Sequence, residues 1–92
     1  MDFEWDENKR RANIRKHGID FFDAALVFET DTIEWFDDRE DYGEHRIIAL
    51  GLSGANVLRI TYTLRGNTIR VISAQKASKY DRKKYFKSLQ PR

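Results

Sequence analysis

The segment NVLRITYTLRGNTIRVISAQK, residues 56–76, decides the fold because it contains two strand-like stretches joined by a tight turn. Branched and aromatic residues alternate with polar ones on both sides of Gly66-Asn67, a dipeptide typical of a two-residue hairpin turn. Counting outward from this turn predicts an antiparallel pair with one mostly apolar face that packs against helices. The pairs on this face are Leu64 with Ile69, Tyr62 with Val71, Ile60 with Ser73 and Leu58 with Gln75.

The other face of this hairpin is predicted to be cationic and half open. Its pairs are Thr63 with Arg70, Thr61 with Ile72, Arg59 with Ala74 and Val57 with Lys76. Because side chains alternate between the two faces of a strand, we expect Arg59, Arg70 and Lys76 to share one surface of the sheet.

Three further segments have the two-residue period of strands. They are DFEWD (residues 2–6), DTIEWFD (residues 31–37) and HRIIALGLS (residues 45–53). Turn residues separate the later segments from one another and from the hairpin, which indicates several antiparallel strands in succession.

Helical patterns lie before and after these strands. The predicted helices are ENKRRANIRKH (residues 7–17), FFDAALVF (residues 21–28) and a C-terminal helix that follows Ser78. Asp6 and Asp20 can cap the first two, and Gly18 suits the left-handed position after a helix end. Ser78 with Asp81 three residues later has the pattern of a capping box. Helices and strands together predict an α+β fold.

The apolar residues of the helices predict how each one packs. The first helix offers little more than Ala12 and Ile14, so it is expected at the surface. The second and third helices are expected to bury two groups of residues, namely Phe21, Ala24, Ala25 and Phe28, and Tyr85, Phe86 and Leu89.

The 92 residues fit one domain spanning residues 1–92, since about 100 residues bury only one modest core. The absence of cysteine excludes a disulfide framework and a thiolate metal site, and it favours a reducing compartment such as the cytoplasm. The N-terminus is charged from its second residue, and no apolar stretch approaches the ~18 residues of a membrane span. We therefore expect neither secretion nor membrane insertion.

Charge is distributed unevenly along the chain. Residues 20–44 contain ten acidic side chains and one basic one, whereas residues 46–92 contain eleven basic side chains and one acidic one. The C-terminal half is the pattern expected for a polyanionic partner, and the acidic segment is suited to a basic partner. Two solvated faces that keep a small protein soluble are the alternative interpretation.

Three blocks of the sequence together resemble a known family. They are FEWDENKRRANIRKHGIDFFDAALVF (residues 3–28), DDREDYGEHRIIALG (residues 37–51) and YTLRGNTIRVISAQKASKYDRKKY (residues 62–85). In this order they resemble the BrnT toxins of bacterial type II toxin-antitoxin systems. The resemblance implies a RelE-like fold, with a small antiparallel sheet, two N-terminal helices and one C-terminal helix. It also implies a ribonuclease that uses neither metal nor cofactor and inhibits translation.

The resemblance further implies a partner for the toxin. This is a BrnA-type antitoxin with a ribbon-helix-helix domain, which neutralises the toxin and represses the shared operon. Operator DNA is then contacted only through the antitoxin, and toxin and antitoxin can assemble into an oligomer.

The sequence departs from the family pattern at Gln75, where the family usually has arginine in ISAR. Three explanations stay open: compensation by Lys76 or Arg70, a toxin that has lost activity but keeps binding, and a substitution made to allow expression. The alternative function is therefore a catalytically impaired protein that binds the antitoxin and acts as an operon co-repressor.

Cationic residues near the end of the hairpin are the catalytic candidates. Metal-free RNA cleavage needs cations around the phosphorane charge, together with groups that accept and donate protons. Arginine suits the first task because its planar fork binds two phosphate oxygens. The predicted catalytic residues are Arg59, Arg70, Gln75, Lys76, Arg82 and His45. The alternative is that these are ordinary exposed cations and a structural histidine.

Other side chains receive binding or structural roles. The predicted RNA-binding residues are Lys79, Lys83, Lys84 and Arg65. His17 is expected to act at a helix C-terminus, where the helix dipole favours its charged form. Tyr62 and Tyr85 fit either a core or a role in positioning a base. The two histidines lie in separate elements without clustered carboxylates, so no metal site is expected.

The acidic segment has a composition suited to a basic or amphipathic antitoxin helix. The predicted antitoxin-binding residues are Trp35, Phe36, Asp37, Asp38 and Tyr42. The alternative is a solvated hairpin in which Trp35 belongs to the core.

Overall fold

A computed structural model of the chain describes residues 1–89. These residues form five strands and three helices, and the second helix continues into a 3₁₀ turn at Val27–Glu29. In chain order the elements are β1 (Asp2–Glu4), α1 (Glu7–His17), α2 (Phe21–Leu26), β2 (Ile33–Asp37), β3 (Arg46–Ser53), β4 (Asn56–Arg65), β5 (Thr68–Lys76) and α3 (Lys79–Ser88). The predicted α+β class is confirmed.

The strands form one sheet in the order β1-β5-β4-β3-β2. β2, β3, β4 and β5 pair antiparallel, but β1 lies parallel to β5, so the expectation of a purely antiparallel sheet is wrong. The reason is that β1 reaches β5 only after the chain has passed through two helices and three strands, so that no turn fixes its direction. Arg70 Nη1 and Glu4 Oε2, 2.6 Å apart, join the two strands.

Helices cover parts of both faces of the sheet. α2 packs on the face that carries Leu58 and Ile60, where the larger core is buried. α3 lies on the opposite face, where Tyr85 packs against Leu50 and Val57 in a second cluster. The face of the hairpin that was expected to be half open therefore contributes to the core as well.

The ends of α1 are as predicted, but its buried side chain is not. The Asp6 carboxylate accepts a hydrogen bond from the Lys9 N–H, and Gly18 closes the helix at a φ of 72°. Ala12 and Ile14 are exposed, and the one residue of α1 that is buried is Asn13. The helix packs through this polar residue because Asn13 hydrogen-bonds to the backbone of β5.

α2 begins at the predicted cap but buries a different stripe. The Asp20 carboxylate accepts a hydrogen bond from the Phe22 N–H, and Phe21 and Ala24 are buried as expected. Val27 is also buried, whereas Ala25 and Phe28 are only partly so. Phe21 and Ala24 share one face of the α-helix, and Val27 continues this face because the chain tightens there into a 3₁₀ turn, whose period is about three residues.

A bulge changes the register of the β4–β5 hairpin. The pairs near the turn are as predicted, from Arg65 with Thr68 as far as Tyr62 with Val71. Beyond them Ile72 has no partner, and the pairs are Thr61 with Ser73, Ile60 with Ala74, Arg59 with Gln75 and Leu58 with Lys76. The predicted pairs in this half are wrong, because one extra residue moves each later side chain of β5 to the other face.

α3 starts at the predicted N-cap, where Ser78 Oγ accepts a hydrogen bond from the Asp81 N–H at 3.1 Å. The full capping box does not form, because the Asp81 carboxylate bonds to Arg59 instead of the Ser78 N–H. Tyr85 is fully buried, but Phe86 and Leu89 are largely exposed, so that part of the packing prediction is wrong. The helix touches the sheet through a narrow stripe, which leaves its basic side chains outside. No helix within residues 1–89 is long and apolar enough to cross a bilayer.

Candidate active site

An open pocket of about 580 Å³ lies where β5 ends and α3 begins. Side chains from α1, the segment after β2, both hairpin strands and the start of α3 line it. They are Lys16, His17, Arg39, Arg59, Gln75, Lys76, Ser78 and Asp81. Lysine and arginine provide four of these eight residues, and Asp81 is the only carboxylate among them.

Arg59 is held in this pocket by a buried ion pair. Its Nη1 donates to Asp81 Oδ2 at 2.7 Å, and the Asp81 side chain is only 8% exposed. Arg59 also lies over the ring of Trp35, with 5.7 Å from Cζ to the ring centroid. Since a guanidinium carries five N–H donors and this ion pair uses one, other donors stay free for a ligand.

The bulge in β5 places Gln75 directly beside Arg59. The two residues are cross-strand partners on one face, whereas Lys76 pairs with Leu58 and so belongs to the opposite face. The prediction that Lys76 shares a face with Arg59 is therefore wrong. Lys76 still lines the pocket because β5 ends there and its side chain lies at the rim.

Arg39 lies in the loop between β2 and β3, within the acidic segment of residues 20–44. Its Nε and Nη2 donate to the two carboxylate oxygens of Asp37 at 2.7 Å and 2.8 Å. The Arg39 side chain is 68% exposed, whereas that of Asp37 is 2% exposed. Hydrogen bonds from Arg39 lower the pKa of the Asp37 carboxyl to about 2. A buried carboxylate thus fixes one edge of the guanidinium and leaves the other free.

α1 contributes Lys16 and His17 from its last turn. They reach the pocket because β1 pairs only with Thr68, Ile69 and Arg70, so that α1 lies beside the remainder of β5. The C-terminus of α1 is closed by the Gly18 N–H, which donates to the Ile14 carbonyl at 2.8 Å. His17 therefore borders the candidate site as well as ending the helix.

Three predicted catalytic residues lie elsewhere. Arg70 is ion-paired with Glu4 and stands five residues before Gln75, which is about 16 Å along a strand. Arg82 lies on the outer surface of α3 with its guanidinium over Phe86. His45 lines a different cavity, in the acidic segment. The structure does not bring these three residues to Arg59.

The predicted RNA-binding residues are divided between two regions. Lys79 and Lys83 line a shallow groove on α3 together with Arg82, Phe86 and Lys87. Lys84 lies with its Nζ 3.7 Å from the centroid of the Trp35 ring. Arg65 is exposed at the hairpin turn, at the opposite end of β4 and β5 from Gln75.

The residues predicted to bind an antitoxin differ in exposure. Phe36 and Asp38 are exposed, whereas Tyr42 is partly covered, with the Arg46 guanidinium 4.1 Å from its ring centroid. Asp37 is buried and bonded to Arg39. Trp35 packs against the second core cluster, which is the alternative that the sequence left open.

Two tyrosines with open roles also belong to the core. The Tyr85 hydroxyl donates to the Asp31 carbonyl at 2.8 Å, and that of Tyr62 donates to Glu34 Oε1. Burial raises the pKa of both phenols above the ordinary value. Within residues 1–89, no group of three or more His, Cys, Asp and Glu side chains could hold a metal ion.

Sequence reasoning did not assign five of the pocket residues to the site, namely Lys16, His17, Arg39, Ser78 and Asp81. One feature of the sequence could have singled out Arg39, namely that it is the only basic residue in the acidic segment of residues 20–44. Asp81 is predicted only as the partner of Ser78 in a capping box, because its contact with Arg59 joins residues 22 positions apart and has no local pattern.

Comparison with known proteins places the chain in a family. The sequence model of the family described as "Ribonuclease toxin, BrnT, of type II toxin-antitoxin system" matches residues 5–81. This match includes all eight residues that line the pocket. No curated protein matches the chain.

Proposed function

The chain belongs to the BrnT family of ribonuclease toxins of type II toxin-antitoxin systems, and we propose that it cleaves RNA, without a metal ion, in the pocket around Arg59. The observation that carries this proposal is the Arg59–Asp81 ion pair, because it holds a guanidinium in an open pocket bordered by further cations. Such a pocket is suited to a phosphodiester.

The proposed reaction is attack of a ribose 2′-hydroxyl on the adjacent phosphate. It forms a 2′,3′-cyclic phosphate and releases a 5′-hydroxyl end. The neutral form of His17 accepts the proton of the 2′-hydroxyl, since histidine is the side chain suited to proton transfer near neutral pH. The leaving 5′-oxygen takes its proton from solvent, which reaches the open pocket.

Charge that develops on the phosphorane is stabilised by Arg59, Lys16 and Lys76. Gln75, the cross-strand partner of Arg59, donates an amide hydrogen bond to a phosphate oxygen. The RNA strand that leads to the reaction site lies along the basic groove of α3, which is lined by Lys79, Arg82, Lys83 and Phe86. Arg70 and His45 have no part in this mechanism, because they lie outside the pocket.

We further propose a RelE-like fold, a cytoplasmic site of action and inhibition of translation through loss of RNA. The antitoxin is of the BrnA type, and its basic helix binds beside the exposed Phe36 and Asp38. In the complex only the antitoxin contacts operator DNA, and the complex can be oligomeric.

The ribonuclease proposal is tested with purified protein and a labelled RNA in the presence of EDTA. The natural chain and Gln75→Arg should both release products with 2′,3′-cyclic phosphate ends, whereas Arg59→Ala should be slower by about 10²-fold or more. Arg59→Lys keeps a charge beside Asp81, so it controls for loss of folding. Intact RNA with both the natural chain and Gln75→Arg would end the proposal.

A second candidate function is an antitoxin-binding co-repressor without catalysis. The observation that favours it is Gln75, a neutral side chain in the middle of the cationic pocket. It predicts tight antitoxin binding and no growth arrest when the protein is induced alone. Growth arrest that disappears in Arg59→Ala would contradict this candidate.

A further inference from the structure

Arg39 stands apart from its neighbours in sequence. It is the only base in residues 20–44, yet its side chain lines the same pocket as Arg59 and Gln75. We propose that Arg39 binds a phosphate of the RNA substrate in the pocket of Arg59, with Asp37 as the residue that positions it. This inference rests on the proposed ribonuclease function.

The geometry of Arg39 fits phosphate binding. Both contacts to Asp37 use the Nε and Nη2 edge of the guanidinium, which leaves Nη1 and one Nη2 hydrogen for a ligand. The side chain is 68% exposed, so a phosphate can reach it without displacing protein atoms. Two parallel N–H bonds to phosphate oxygens are therefore possible from that free edge.

Asp37 makes this orientation stable. Its side chain is only 2% exposed, and besides the two bonds from Arg39 it accepts one from the Tyr42 hydroxyl at 3.2 Å. The Arg39 backbone N–H also points at the same carboxylate, with 3.4 Å from N to Oδ1. A long, flexible side chain is thereby held in one place before substrate binds, which lowers the entropy lost on binding.

The chemistry of the pocket gives Arg39 a specific task. Arg59 is partly neutralised by Asp81, and Gln75 has no charge. Arg39 is the second arginine that lines the pocket, and it comes from a different segment of the chain. Lys76 also lines the pocket, but its ammonium is a point charge and cannot bind two phosphate oxygens as a planar guanidinium does. Arg70 lies outside the pocket and is ion-paired with Glu4.

The test separates binding from cleavage. The probe for binding is a fluorescein-labelled 12-residue 2′-O-methyl RNA, which lacks the nucleophile and cannot be cut, titrated by anisotropy at several KCl concentrations. Arg39→Ala should weaken binding by about 5- to 20-fold at low salt and lower the salt slope by about 0.7, as expected for one lost phosphate contact to a single strand. Arg39→Lys should keep the salt slope but recover cleavage of unmodified RNA only in part.

Arg11→Ala is the matched control. Arg11 is 64% exposed and also lies near a carboxylate, with its Nε 3.5 Å from Glu7 Oε1, but it does not line the pocket. Its removal should change binding less than about twofold, since exposed ion pairs contribute little. If Arg39→Ala and Arg11→Ala behave alike in both assays while the natural chain cuts RNA, the inference is overturned and the proposed function stands.

The other outcomes are equally distinct. If the natural chain and Gln75→Arg both leave RNA uncut but Arg39→Ala still weakens binding of the 2′-O-methyl RNA, the ribonuclease proposal fails and Arg39 remains a phosphate-binding residue. If the natural chain does not bind this RNA, the inference about Arg39 is overturned, and the cleavage assay alone decides the ribonuclease proposal. Asp37→Asn tests whether Asp37 positions Arg39. It should weaken RNA binding in the natural chain and cause no further loss of binding in Arg39→Ala. If Asp37 has a purely structural role, the losses from the two substitutions should add.

Discussion

Asn13 is a polar side chain in the place where an amphipathic helix usually has an apolar one. Its amide donates to the Ala74 carbonyl at 2.8 Å and to the Ile19 carbonyl at 2.9 Å, and it accepts from the Ala74 N–H at 3.1 Å. Both backbone groups of Ala74 are thus bonded on a side of β5 that β1 does not reach. Asn13 takes the place of a neighbouring strand residue there, and it fixes α1 and the pocket residues His17 and Lys16 at its end.

Asn13→Ala should lower the free energy of unfolding by roughly 1–3 kcal/mol, because it leaves buried backbone groups of Ala74 unpaired. Urea denaturation followed by circular dichroism measures this change. Asn8→Ala, at an exposed position of the same helix, is the control and should change stability by less than about 0.5 kcal/mol. Equal effects of the two substitutions would show that the buried hydrogen bonds of Asn13 contribute nothing.

Asp37 makes stability depend on pH. Its pKa is lowered from 3.8 to about 2 in the folded chain, so its contribution is fully present above pH ~4 and is lost as the pH falls towards about 2. At neutral pH the contribution is at most about 2 kcal/mol, and solvent screening of the exposed Arg39 reduces it. Asp37→Asn should therefore destabilise the protein at pH 6 and much less at pH 2.5.

Urea midpoints at these two pH values give the comparison for Asp37→Asn. Asp38→Asn is the matched control, because Asp38 is adjacent and exposed. Its effect on the midpoint should be small, since substitutions at exposed positions usually change stability by less than about 0.5 kcal/mol. A cost for Asp37→Asn that stays constant from pH 6 to pH 2.5 would contradict a depressed pKa.

At the level of elements, what could be predicted from the sequence is what depends on neighbouring residues. The caps at Asp6, Asp20 and Ser78 are correct because each is an interaction over two or three positions. The hairpin turn is correct for the same reason, since Gly66 adopts the positive φ that the turn needs. The two-residue and helical periods of the sequence likewise predicted the five strands and the three helices.

What could not be predicted is set by packing between distant segments. The bulge at Ile72 has no glycine or proline to signal it, and the parallel pairing of β1 joins the two ends of the chain. Both features determine which residues form the site. The bulge brings Gln75 beside Arg59, and because β1 is short, α1 can pack against the rest of β5. Arg39 was assigned by composition to an acidic, partner-binding segment, although its side chain lies in the cationic pocket.

Across the whole molecule, opposite charges are concentrated in different segments. Residues 20–44 have a net charge of −9 and residues 46–92 of +10. The described part of the chain is 40 Å long and 26 Å wide, whereas the Debye length at physiological salt is about 8 Å. A basic partner and RNA can therefore be attracted to separate regions. Arg39 belongs to the acidic segment, but its side chain lines the cationic pocket.

Charge reversal in the acidic loop between β2 and β3, residues 38–45, should slow association with the antitoxin. The double variant Asp38→Lys and Glu40→Lys reverses two exposed charges next to Phe36, and we expect the association rate constant to fall by about tenfold or more at low salt. Asp2→Lys with Glu29→Lys is the control, because it makes the same change in net charge on exposed residues elsewhere. Stopped-flow or surface-based kinetics with the antitoxin measures both variants from low salt to about 0.5 M, where screening should bring their rates together. Equal slowing by both pairs at low salt would mean that net charge, rather than this loop, directs the antitoxin.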